Sequence, residues 1–180
     1  MNRREAIQNM LILLGGAAIL PSSLRAAGQP SIRLKHLEID HDQELLLAEI
    51  AETILPASDT PGAKELSLHL FVMKMVDDCH SQEDQAAFVE GLSQLNTAAQ
   101  TTFETAFADG TDQQRLELLQ SITPKSEHPE ALKAFYKLMK QRTIQGYKVS
   151  EYVMTELLPH KMIPDPYDGF YPSAKLGGEI

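Results

Sequence analysis

The chain has 180 residues, a formal charge of −9, one cysteine and no tryptophan. That length suggests one domain. Acidity with no basic stripe beyond residue 35 argues against nucleic acid, because neutralising phosphates takes clustered Lys and Arg. The lone Cys79 excludes an internal disulfide, CxxCH haem attachment and a cysteine-rich zinc site. It reads as a small buried hydrophobe. Leu, Ala, Glu, Gln and Lys dominate and β-branched runs are rare, which favours helix over strand.

Residues 1–27 read MNRREAIQNMLILLGGAAILPSSLRAA. Arg3 and Arg4 precede a run from Met10 to Leu20 that is apolar or glycine. A helix of that run is too short to span a bilayer, which takes about 20 residues. A basic start, a short apolar core and small residues beyond it make a signal peptide. The paired arginines, with Ile7 and a weakly hydrophobic core, resemble a twin-arginine leader, the kind that exports folded proteins. Removing residues 1–26 takes away three arginines and one glutamate, leaving a formal charge of about −11. A cytosolic chain with an amphipathic first helix is the alternative, but Leu11–Leu14 and Ala17–Leu20 offer no polar face.

Gln29 to Leu37 reads as an extended lead-in. Asp40 and Gln43 have capping-box spacing, and a helix is expected from His41 to Leu55 with Leu47, Ile50, Ala51 and Ile54 on one face. Pro56 ends it, and Pro61-Gly62 marks a second stop, with Asp59 and Thr60 expected to cap free N–H groups. A second helix is expected from Ala63 to Asp78. It is apolar nearly all round and is therefore expected at the centre of the bundle. Ser81 caps a third helix with Phe88, Leu92, Leu95 and Ala99 inward; its end, Thr97 to Thr105, is expected to bend or break. Asp109-Gly110 is a turn. Thr111 and Gln114 cap a short helix with Leu116, Leu119 and Ile122 inward. Pro129 starts the next, which carries Leu132, Phe135, Tyr136, Met139 and Thr143 and ends near Gly146. Ser150 caps a last short helix through Leu158. From Pro159 the chain turns rich in Pro, Gly and Tyr and loses all period.

The expectation is an all-α protein, a compact bundle of about five to six helices. A signal segment occupies residues 1–27, the helical domain 28–158, and an irregular Pro/Tyr-rich arm 159–180. Chemistry is hard to find in it. A di-iron bundle needs two facing E-x-x-H pairs; Glu38–His41 straddles a cap and Asp77–His80 sits at a helix end. Glu65 and His69 have i, i+4 spacing, which more often marks a surface pair than an acid–base couple. The serines lack a GxSxG context, and no Gly-rich phosphate loop follows a strand. Thus no catalytic, cofactor-binding or metal-binding residue is assigned. Binding remains, through Pro61 and Gly62 at the corner, Tyr147, and Tyr167, Phe170 and Tyr171 in the arm.

ETILPASDTPGAKE at Glu52 to Glu65 resembles the signature of the gluconate 2-dehydrogenase subunit 3 family. The resemblance continues through Asp77-Asp78-Cys79, Gln85 to Leu95, Gln145-Gly146-Tyr147, Ser150-Glu151 and the Pro-x-Pro-Tyr-Asp-Gly run at Pro164 to Gly169. Where members of that family often carry a tyrosine, this chain has Leu157-Leu158-Pro159-His160-Lys161. The resemblance implies a small non-catalytic subunit with no cofactor of its own. Its partners would be a large dehydrogenase of the glucose–methanol–choline type carrying FAD and, in many such complexes, a cytochrome c subunit carrying haem. The small subunit bears the leader and the large one travels with it to the periplasm, where the complex is membrane-associated; no membrane span is expected in this chain. The alternatives are a stand-alone exported binding module and, less in keeping with the residues, a metal-dependent enzyme.

Overall fold

The computed structural model of the chain describes residues 28–158. The expected leader and arm, with Arg3, Arg4, Tyr167, Phe170 and Tyr171, lie outside the described residues. Those described are all-helical: α1 His41–Ile54, α2 Leu68–Cys79, α3 Gln82–Phe103, a 3-10 turn Phe107–Asp109, α4 Asp112–Ser121, α5 Glu130–Lys148 and a short π-wound helix Val153–Leu157. They divide into two compact units between Lys148 and Val149. The first holds α1 to α5; in the second, the Val153 N–H donates to Ser150 Oγ at 3.3 Å, the expected cap.

The first unit is built by caps and stripes that its sequence spells out. Gln43 N–H donates to Asp40 Oδ1 and Asp40 N–H to Gln43 Oε1, closing the capping box that starts α1. Thr111 and Gln114 make the same box at α4, and Ser81 Oγ accepts from Asp84 N–H at α3. Leu47, Ile50 and Ala51 of α1, Phe88, Leu92, Leu95 and Ala99 of α3, and Leu132, Phe135 and Met139 of α5 are all buried in one core. Thr143 of α5 is fully buried with them.

The broadest helix–helix contact is α3 on α5 rather than one made by α2, which shares the centre with α5. Gly91 makes the crossing close. A Cβ there would lie 2.3 Å from Phe135 Cβ and 2.6 Å from the Ala131 carbonyl oxygen. The missing side chain lets Phe88 and Phe135 meet, ring centroids 4.9 Å apart and inclined at 53°.

Several expectations need correction. The second helix starts at Leu68, not Ala63; residues 63–67 form turns, and Ser67 adopts a left-handed conformation at φ 52°. Apolar spacing continues through the turn, so periodicity alone placed the start too early. α3 runs unbroken to Phe103, because Thr97 and Thr101 hydroxyls donate to the carbonyls of Ser93 and Thr97 instead of opening the helix. α4 buries Leu118 beside Leu119, with Ile122 just beyond, and leaves Leu116 exposed; so short a helix admits more than one apolar stripe. α5 passes through Gly146 to Lys148. That glycine ends nothing: it makes room for Phe71 of α2, whose Cδ1 would lie 2.8 Å from an added Cβ. Cys79, expected inside, is exposed at the end of α2.

Candidate functional site

The corner between α1 and α2 is closed by a carboxylate. Leu55 leaves the helical region at φ −136°, ψ 81°, as Pro56 demands. The chain turns, and Ala63 N–H returns to the Leu55 carbonyl at 3.0 Å. Glu52, in the last turn of α1, spans the opening: Oε1 accepts from Ala57 N–H at 3.1 Å and Oε2 from Lys64 N–H at 2.8 Å. Glu52, not Asp59 or Thr60, satisfies those N–H groups. Gly62 lies beneath the bridge, where a Cβ would sit 2.5 Å from Glu52 Oε1 and 2.7 Å from Ala57 N. Gly62 is therefore buried and can shape a docking surface only from below, while Pro61 is half-buried.

Beside this corner Glu49 accepts from Lys64 Nζ and from Arg115 Nη1 of α4 at 2.5 Å, and Arg115 also pairs with Asp112. The exposed Leu45 lies one helical turn before Glu49, and the exposed Leu116 follows Arg115. Tyr147, the other described candidate contact, is half-buried against the core.

Two buried acids stand near the start of the described chain. Glu44 of α1 accepts from Ser31 N–H at 2.6 Å. Asp77 of α2 accepts from the N–H groups of Lys35, His36 and Leu37 and from Lys74 Nζ at 3.1 Å. Burial would raise the Asp77 carboxyl; the N–H groups of His36, Leu37 and Lys35 and the Lys74 ammonium outweigh it and hold it well below the usual carboxylate range. Gln85 completes this end: its Nε2 donates to the carbonyls of Val76, Asp77 and His80, closing the C-terminus of α2.

The spacings that could suggest catalysis come apart. Glu65 is exposed in the turn, and His69 faces Glu44 instead, Nε2 to Oε1 3.9 Å. His80 Nε2 lies 3.0 Å from Arg142 Nη2, and its Nδ1 is 3.8 Å from Asp84. Among the described residues no three His, Cys, Asp or Glu side chains gather where they could hold a metal.

His69 carries a pH prediction. Its Nδ1 is buried without a hydrogen-bond partner. Burial lowers its pKa below the ordinary 6.5; the Glu44 charge opposes this and Lys64 adds to it. The unfolded chain therefore takes up this proton first. The stability tied to neutral His69 is complete above about pH 6.5 and is lost as pH falls through that value toward the folded pKa. Urea midpoints at pH 7 and pH 5 should converge in His69→Leu relative to the parent. An unchanged difference would rule His69 out as the source.

These features define a helical module whose polar side chains serve to shape it. The gluconate 2-dehydrogenase subunit 3 family model matches residues 41–166, most of the chain. The chain belongs to the gluconate 2-dehydrogenase subunit 3 family. No curated protein and no solved structure matches it at a significant level. Glu52, Asp77 and Gln85 were not singled out as structural residues by their sequence, although each lies in a block that carries the family resemblance. That was the available signal. Glu44 and Gly91 offered only an acid on an apolar stripe and a glycine within a helix.

Proposed function

We propose that this chain is a non-catalytic small subunit that escorts a large FAD-dependent sugar or sugar-acid dehydrogenase through folded export and stabilises it in the periplasm. The family match over residues 41–166 carries this reading. Arg3 and Arg4 supply its export half. In this reading FAD sits in the large partner, and haem c in a cytochrome subunit where the complex has one. Membrane association comes from the assembly; among the described residues no helix is long and apolar enough to cross a bilayer.

The corner suits docking because it is held before any partner arrives. Glu52 and the two prolines fix a surface that loses little conformational freedom on binding. Pro61 is its candidate contact, with Gly62 acting from beneath; Tyr147, and Tyr167, Phe170 and Tyr171 of the sequence beyond residue 158, are the other candidate contacts with the partner. The test is Arg3→Lys with Arg4→Lys in a cell that also makes the large subunit. The flavoprotein should remain in the cytoplasm. Its arrival in the periplasm at the parental level would end the escort reading.

A further inference from the structure

Residues 28–37 are tied to the bundle through their backbone. The Gly28 carbonyl accepts from His41 N–H at 3.3 Å. Ser31 N–H donates to Glu44 Oε2 at 2.6 Å. Three consecutive N–H groups then converge on Asp77: Lys35 at 2.9 Å to Oδ2, His36 at 2.7 Å and Leu37 at 2.9 Å to Oδ1. The two acids belong to different helices, Glu44 to the first turn of α1 and Asp77 to the last turn of α2. Residues 28–39 therefore meet both acceptors only when α1 and α2 are formed and packed.

Besides these bonds, Leu37 and Ile39 of the stretch are buried in the core, and Ile32 and Leu34 pack against it. The stretch has no regular secondary structure, and Arg33, Lys35, His36 and Glu38 are exposed. An open groove of about 670 Å³ separates Lys35–Glu38 from Gln82, Gln85, Ala86 and Val89 of α3. Carboxylate docking also suits reversible release. On opening, water takes over both the carboxylates and the freed N–H groups, so no polar group is stranded. A segment with no regular secondary structure and polar attachments opens before a packed helix does.

We propose that residues 28–39 are a strap that opens separately from the bundle and closes only on a packed α1–α2 pair. When closed, it fixes the point where residues 1–27 join the folded domain. That consequence for the leader rests on the export reading; the strap itself does not.

Trypsin applied to the full chain tests it. Arg33 and Lys35 lie inside the strap, and a protease must draw out several residues on each side, which takes the N–H groups from Glu44 and Asp77. Lys137 and Lys140 on the exposed face of α5 report on the bundle. Ser31→Pro removes one strap donor without altering a helix, and Asp77→Asn weakens the main acceptor. Mass spectrometry follows fragments beginning at Leu34 or His36. Where cleavage follows the open population, its rate reads the opening equilibrium. Both variants should speed cleavage after Arg33 and Lys35 at least tenfold, with cleavage after Lys137 and Lys140 within twofold of the parent. If Asp77→Asn loosens the whole domain, Ser31→Pro decides. Parallel acceleration at strap and helix sites in Ser31→Pro would mean that the strap melts only with the bundle. No acceleration in either variant would mean that the carboxylates do not hold it. Either result overturns the strap and leaves the export reading to its own arginine test.

Discussion

Replacing Asp77 by alanine is expected to lower the unfolding free energy by about 1–3 kcal/mol, the cost of leaving buried donors without an acceptor. Its side chain is fully buried, and three backbone N–H groups lose their acceptor together, while the Lys74 ammonium keeps Asp78 at 3.0 Å. Unmade hydrogen bonds of this kind cost about 1–3 kcal/mol each. Release of the strap to water caps the sum. Asp77→Asn should be milder, since Oδ1 still accepts while the amide nitrogen faces Lys74. The effect also has a pH signature. The folded pKa is depressed, so the contribution is complete above the unfolded value of about 4 and is lost as pH falls from there through the folded value. Urea unfolding from pH 7 to pH 3 should show a falling curve for the parent and a flatter one for the alanine variant. A loss under about 1 kcal/mol at pH 7 would mean that water replaces the carboxylate without cost.

Gly91→Ala is expected to destabilise by about 1–3 kcal/mol, the usual cost of overpacking. Helix propensity works the other way, since alanine in a helix interior is favoured over glycine by about 1 kcal/mol. Geometry decides which effect prevails. The added Cβ would lie 2.3 Å from Phe135 Cβ and 2.6 Å from the backbone oxygen of Ala131. Neither atom can swing away as a side-chain tip can, so α3 and α5 must part. At Gly146 the obstacle is the Phe71 ring, 2.8 Å away at Cδ1, a side-chain group and not backbone. Thermal unfolding by circular dichroism should therefore show a clear loss for Gly91→Ala and a smaller one for Gly146→Ala. The reverse order would show that the α3–α5 contact is the softer of the two.

Much of the fold was legible because its signals are local. Asp40–Gln43 and Thr111–Gln114 are reciprocal caps that need only four residues to form, and the structure makes both. The stripes Phe88–Leu92–Leu95–Ala99 and Leu132–Phe135–Met139 reach the core because helical geometry puts those positions on one face. Errors arose where spacing gave more than one answer. At Ala63–Ser67 apolar period continues through a turn, and in α4 two stripes overlap. Cys79 looked apolar enough to bury, but it ends α2 on the solvent side.

The candidate site was harder to read, for a physical reason. Sequence showed that residues 55–62 must turn, since Pro56 cannot continue a helix and Pro61-Gly62 breaks the next. It did not show that Glu52 would close the turn, because that acceptor meets Lys64 N–H twelve residues on. Asp77 meets its donors about forty residues upstream. A carboxylate on a helix looks the same in sequence whether it faces water or three converging N–H groups. What the sequence by itself determined was the helical class, the caps, the stripes and the family, all carried by short-range pattern. Only the tertiary structure decided which acids are clamps and which glycines are close contacts, because those roles exist only once distant segments have met.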